Sequence, residues 1–86
     1  MATVTMRYWA AAKQAAGVAE ETISAETLAD ALAAALAGRD GADALGAVLA
    51  RSSFLVDGSP VGTRAPGSVL LTESAVVEVL PPFAGG

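Results

Sequence analysis

The chain has 86 residues, enough for one small domain and too few for a second catalytic lobe. A hydrophobic content of 53% meets the need of so short a chain, which buries only about 60–65% of its unfolded surface. Without cysteine or histidine it lacks disulfides, the usual transition-metal ligands and the usual acid–base group; five Lys and Arg against nine Asp and Glu, net charge −4 with no basic cluster, argue against nucleic acid or an anionic membrane as partner.

The N-terminal Met1-Ala2-Thr3-Val4-Thr5 lacks the basic head and apolar stretch of a secretory signal. No apolar run approaches membrane-spanning length, so a cytoplasmic chain is expected. From Thr3 to Trp9 the residues alternate, Val4, Met6 and Tyr8 on one face and Thr3, Thr5, Arg7 and Trp9 on the other, which predicts a strand. Ala10 to Ala16 is too alanine-rich to continue it and reads as a short helix closed by Gly17. A weaker strand follows at Glu20 to Ile23.

Thr27 and Asp30 form a T-x-x-D start signal: the hydroxyl can cap a free helix N–H, and the carboxylate suits the positive end of the dipole. A helix is predicted from Leu28 to about Ala37, with Leu28, Leu32, Ala35 and Leu36 as its buried stripe. A second short helix is expected over Ala42 to Ala50, with Leu45, Val48 and Leu49 inward. Phe54-Leu55-Val56 and Pro60-Val61 flank a tight turn at Asp57-Gly58-Ser59, and the proline marks the second arm as an edge. Turns at Ala65 to Ser68 and Thr72 to Ser74 precede the most strand-like run, Val76-Val77-Glu78-Val79-Leu80, which Pro81-Pro82 must end.

This order gives an α+β architecture. The economical sheet puts the first and last strands central and parallel, with the main helix across one face.

The tail asks for a separate explanation. With nine glycines in 86 residues, a chance Gly-Gly at a given pair of positions has a probability of about 1 in 100. Pro81-Pro82 makes a stiff, extended exit, and the residues after it end without bulky side chains, a form that can thread a narrow channel. Adenylation by ATP would turn the Gly86 carboxylate into a mixed anhydride that a sulfur nucleophile displaces. The resulting thiocarboxylate could hand its sulfur to an acceptor carbon, and Gly85 and Gly86 would let a partner's walls approach the backbone closely.

Pro81-Pro82-Phe83-Ala84-Gly85-Gly86 after a Val-rich strand, Tyr8-Trp9-Ala10 ending the first strand, Gly17 soon after, and the length together resemble the small sulfur-carrier subunits of molybdopterin synthase, the MoaD/ThiS group of ubiquitin-like proteins. The resemblance implies a β-grasp fold over residues 1–82 and a flexible Gly-Gly tail over residues 83–86. It implies that a partner resembling a ubiquitin-activating adenylyltransferase uses ATP on Gly86, that sulfur is then carried covalently, and that no cofactor or metal is bound. It further implies a large synthase subunit, in a heterotetramer, that receives Phe83, Ala84 and Gly85 and adds sulfur to a pyranopterin precursor.

The same resemblance places Trp9, Leu80, Val61, Pro82 and Lys13, the only lysine, at the partner interface. On the residues alone, Trp9 and Leu80 are either core or interface, and Lys13 is either solvated or a contact. The paired acids Glu20 and Glu21, Asp40 and Asp43, and Glu73 and Glu78 form no acid–base site and read as solvated faces. One departure stands out: the family often has Gly-Asp in the turn before the last strand, where this chain has Glu73-Ser74-Ala75. Three other functions fit parts of the same reading: a sulfur carrier for thiazole or cysteine synthesis, a ubiquitin-like modifier joined to target lysines, and an interaction domain with an inert tail.

Overall fold

In a computed structural model, which describes residues 1–82, the chain runs β1 (Ala2–Tyr8), α1 (Ala10–Ala16), β2 (Glu20–Ala25), α2 (Leu28–Leu36), α3 (Ala42–Ala50), β3 (Ser53–Val56), β4 (Ser59–Pro60) and β5 (Val76–Leu80). A 3-10 turn at Pro66–Ser68 lies between the last two strands. The strands form one sheet in the order β2-β1-β5-β3-β4. β1 and β5 pair in parallel, Thr5 opposite Val76 and Tyr8 opposite Val79, as their apolar content requires; the other neighbouring strands are antiparallel. This is the mixed α+β sheet of a β-grasp fold.

Alternation along the strands decides which face is covered. Val4, Met6 and Tyr8 on β1 and Val77 and Val79 on β5 are all buried, and they meet Leu28, Ala31 and Ala35 of α2 and Leu45, Val48 and Leu49 of α3 in one core. Each large aliphatic side chain buried there contributes about 1.5–3 kcal/mol. The caps are those the residue types predict. The Thr27 hydroxyl accepts the Asp30 N–H at 3.1 Å, and Gly17, in the left-handed region at φ 81°, closes α1 by donating to the Lys13 carbonyl at 3.0 Å.

The turn between β3 and β4 has positive φ at both Asp57 (50°) and Gly58 (84°), the combination that matches the twist of a two-residue hairpin. Asp57 also reaches sideways: its carboxylate accepts the Val76 N–H at 2.9 Å and pins the start of β5.

Two expectations are corrected, and one core segment is added to them. The buried stripe of α2 is centred on Leu28, Ala31 and Ala35, with Leu32 and Leu36 only half-buried at its margins; small residues sit where the helix lies nearest the sheet. β2 continues past Ile23 to Ala25, so the main helix is entered only two residues later. Val69 and Leu71 belong to the core, 4% and 7% exposed. Their segment runs beside the entrance to α2 through Leu28 N–H to the Val69 carbonyl (2.9 Å) and Leu71 N–H to the Glu26 carbonyl (2.8 Å).

The turn before β5 holds a strained residue. Ser74 adopts φ 68°, a conformation that costs an L-residue about 1–2 kcal/mol and glycine nothing comparable, and its N–H donates to the Thr3 carbonyl at 2.8 Å. Ser74→Gly is therefore expected to stabilise the chain by about 0.5–1 kcal/mol after the added freedom of the unfolded glycine is deducted. A higher urea midpoint at unchanged slope would be the signature; an unchanged or lower midpoint would contradict the strain at this turn.

Candidate docking and transfer site

The chain leaves β5 through Pro81 and Pro82, beside the point where β1 gives way to α1. Trp9 keeps extended backbone (φ −113°, ψ 149°) and its N–H still bonds the Val79 carbonyl at 3.3 Å, so it is held as one last rung next to β5. Ala10 then turns abruptly at φ 48°, and the Trp9 carbonyl accepts the Ala12 N–H at 3.0 Å to open α1. This geometry turns the Trp9 side chain out of the core: it is 45% exposed, while Tyr8 beside it is 1% exposed. The indole N–H donates to a Glu78 carboxylate oxygen at 3.2 Å, which orients the ring on the outer face.

A groove of about 450 Å³ runs between Trp9 and the exiting chain, walled by Leu80, Pro81 and Pro82, with Ala11 on the α1 side and Arg51 at its rim. Aromatic and aliphatic side chains that stay partly exposed around such a concavity are the raw material of an interface anchor. Trp9, Leu80 and Pro82 are brought together as expected. Lys13 is exposed and lies on an adjoining shallow groove with Gln14 and Gly17, which shares Trp9, Ala10 and Ala11 with the first.

Val61 is corrected: it is only 5% exposed and lines a different groove, with Phe54, Pro60 and Arg64, because the chain turns it inward after β4. Phe83, Ala84, Gly85 and Gly86 lie outside the described residues. Arg51, the C-terminal cap of α3, was not among the residues singled out from the sequence; α1 packs against α3 and so brings Arg51 to the tail exit.

The acids are more engaged than solvated faces would be. The Glu73 carboxylate accepts the Thr3 N–H at 2.9 Å, and Glu20 pairs with Arg7 at 3.6 Å. Glu21 joins a three-residue network at the edge of the core: the Tyr8 hydroxyl donates to one of its oxygens, and Arg39 donates to the other at 2.5 Å. Arg39 also donates to the Ala35 carbonyl at 3.0 Å and lies over the Tyr8 ring, 5.8 Å from its centre, so it ties the end of α2 to β1 and β2.

Burial and the adjacent carboxylate push the Tyr8 hydroxyl up to about 12. Burial opposes the charge on Glu21, but hydrogen bonds from Arg39 and Tyr8 outweigh it and hold the carboxyl below its ordinary value. The Glu21 partnership in turn raises Arg39. The network lies away from the groove lining and fastens the fold.

The sheet order and the parallel pairing of first and last strands define a β-grasp, ubiquitin-like protein. No protein-family model matches the chain, and a search of the curated proteins found no match. Among solved structures, it is similar to small archaeal modifier protein 1 from Methanosarcina acetivorans, at 26% identity and a TM-score of 0.82, over 100% of this chain and 98% of that one. It is also similar to a putative molybdopterin converting factor subunit 1 from Pyrococcus furiosus, at 22% identity and a TM-score of 0.76, over 96% and 100% of the two chains. A third match is to the complex of subunits 1 and 2 of molybdopterin-converting factor from Helicobacter pylori, at 23% identity and a TM-score of 0.68, over 98% and 99%. Both kinds of neighbour are consistent with the MoaD/ThiS-like family that the tail and first strand resemble.

Proposed function

We propose that the chain is a sulfur carrier whose Gly86 carboxylate is adenylated, converted to a thiocarboxylate and delivered to the large subunit of a molybdopterin synthase. The observation that carries this reading is the pairing of a Pro-Pro exit and Gly-Gly tail with a partly exposed aromatic groove at the same corner of a β-grasp domain. In the first step the carboxylate oxygen attacks ATP and pyrophosphate leaves. In the second a sulfur nucleophile displaces AMP. In the third the thiocarboxylate sulfur displaces an oxygen substituent at a carbon of the pyranopterin precursor, and water then cleaves the acyl C–S bond, leaving the sulfur on the precursor and restoring the Gly86 carboxylate. The domain supplies a rigid handle and a docking face, and the partners supply the catalytic groups.

The likeness to molybdopterin converting factor subunit 1, and to a complex of subunits 1 and 2, supports a large-subunit partner. The likeness to small archaeal modifier protein 1 favours a second reading, in which the same activated tail is passed to a lysine amine to form an isopeptide bond. Intact mass of the chain purified from cells that make the cofactor separates them. Replacement of one oxygen by sulfur at Gly86 is expected; conjugates heavier by a target protein favour the modifier, and an unaltered chain contradicts both.

Trp9 serves as the anchor of the docking face. Trp9→Ala is expected to leave the fold intact, since the ring lies outside the core, and to cost about 2 kcal/mol of large-subunit affinity, about thirtyfold in Kd. Calorimetry on the variant and the synthase large subunit tests this; unchanged affinity would remove the anchor role, and loss of the fold would show that the ring supports the domain instead.

A further inference from the structure

β2 is the outer strand on one side of the sheet. The Tyr8 N–H donates to the Ala19 carbonyl at 2.8 Å, and the antiparallel ladder alternates from that pair. Glu21, Ile23 and Ala25 therefore turn their backbone groups toward β1, while Glu20, Thr22 and Ser24 turn theirs outward. The same parity continues past the strand: the Glu26 carbonyl accepts the Leu71 N–H at 2.8 Å and the Leu28 N–H donates to the Val69 carbonyl at 2.9 Å, so residues 69–71 close the edge from Glu26 onward. Among the described residues, the outward backbone groups of Glu20, Thr22 and Ser24 have no partner. Two exposed aliphatic side chains stand at the limits of this gap. Val18, 41% exposed, lies where the chain bends into β2, and Leu70, 76% exposed, lies on the segment that closes the other end.

We propose that this gap is a self-association surface, on which β2 of a second copy pairs antiparallel about a two-fold axis at Thr22. The register follows from charge. With Thr22 opposite its own counterpart, Glu20 faces Ser24 and Glu21 faces Ile23, so no like charges oppose and the outward groups of both copies meet as hydrogen-bonded pairs. An axis at Glu21 sets two carboxylates against each other, and an axis at Ile23 sets Glu20 against Glu26 twice. On the outer face the axis is flanked by Thr5 beside Thr22, and Glu20 already pairs with Arg7. The same register brings Val18 opposite Glu26, hence against residues 69–71 of the other copy, where Leu70 is exposed. Because the chain bends at residues 17–19, Val18 meets that segment from the side. The pairing is closed, since the other outer strand, β4, has two residues, one of them Pro60, and offers no comparable edge. So short an edge falls below the area of about 800 Å² per partner in a stable interface, and a weak dimer with Kd of about 0.1–1 mM is expected. β1 lies between this edge and β5, so the pair leaves Pro81 and Pro82 uncovered, and the inference stands apart from the sulfur chemistry proposed above.

The chain has no cysteine, so a single introduced one reports the register. In the proposed pair the two Thr22 Cα atoms are about 5.5 Å apart, within disulfide reach. The two Glu20 Cα atoms, like the two of Ser24, are about 14 Å apart and beyond it. Mild oxidation of the full chain at about 1 mM is expected to link Thr22→Cys at least about tenfold faster than Glu20→Cys or Ser24→Cys. Sedimentation equilibrium of the cysteine-free chain at low salt is expected to show a monomer–dimer equilibrium. Leu70→Asp, Thr22→Lys and Thr22→Glu should each weaken it at least about threefold, and a mixture of the last two should restore it, because opposite charges then face each other at the axis. All these positions are exposed, so the circular dichroism of each variant should match that of the parent. A monomer up to about 1 mM, equal linking at the three cysteine positions, or no recovery in the mixture would overturn the proposal. A dimer that none of these substitutions weakens would overturn it as well, by placing self-association on another surface.

Discussion

Tyr8→Ala is expected to lower stability by about 3–5 kcal/mol, the cost of deleting a fully buried aromatic ring. A chain of 86 residues has about 4–13 kcal/mol in all, so this one change removes a large share of it. Tyr8→Phe separates the ring from the hydroxyl. It keeps the packing against Met6 and Val79 side of the sheet and leaves Glu21 paired with Arg39, so a loss of only about 1–2 kcal/mol is expected. Urea denaturation followed by circular dichroism measures both. If the phenylalanine variant were as unstable as the alanine variant, the polar network rather than the ring would be what holds this edge of the core.

The two variants also differ in alkali. Tyr8 titrates at 10.0 when unperturbed and at about 12 in the fold, so between those values the unfolded chain releases a proton that the folded chain retains. Stability is fully present below pH 10 and declines as pH rises toward 12. The chain has a single tyrosine, so tyrosinate absorbance reports this group alone. Tyr8→Phe should lack the Tyr8-linked part of the decline. Glu21 acts at the other end of the scale: its folded value is depressed, so its contribution is present above its ordinary value of 4.5 and is lost as the solution is acidified through the folded value.

These residues mark what one sequence can and cannot disclose. β5 was legible residue for residue, because a β-branched run bounded by a turn and Pro81-Pro82 has one local solution. α1 and α3 were equally plain, being alanine-rich segments closed or opened by glycine, and Thr27 carried its own cap signal. The Tyr8–Glu21–Arg39 network was not legible, since its members are 13 and 18 residues apart along the chain and nothing in their local spacing couples them. Val69 and Leu71 alternate with the 76% exposed Leu70, but the partner that gives the alternation meaning is the entrance to α2.

Size misled the reading of α2, where the larger Leu32 and Leu36 seemed the natural core and Ala31 took the central place. In the candidate site, the nearness of Trp9 and Leu80 followed from the pairing of β1 with β5, whereas their interface role, and Pro82's, came from the family resemblance. Arg51 followed from neither, because its arrival there depends on how α3 packs on α1.

Deleting Gly86 is expected to abolish sulfur transfer while leaving the domain folded. The proposed chemistry places the reacting carbonyl carbon at Gly86, and removal of that residue draws it back by about 3.5 Å along an extended chain. Catalytic groups tolerate misplacement of only about 0.5 Å, so neither the adenylation site nor the acceptor site would meet its substrate carbon. Among the described residues the buried cluster runs from Val4 to Val79, and the urea midpoint is expected not to move. The decisive assay supplies the variant with the activating enzyme, ATP, a sulfur source and the large subunit, and measures both the thiocarboxylate by intact mass and molybdopterin formation. Loss of both with an unchanged midpoint is the expected result; normal molybdopterin formation by the shortened chain would exclude the carrier mechanism.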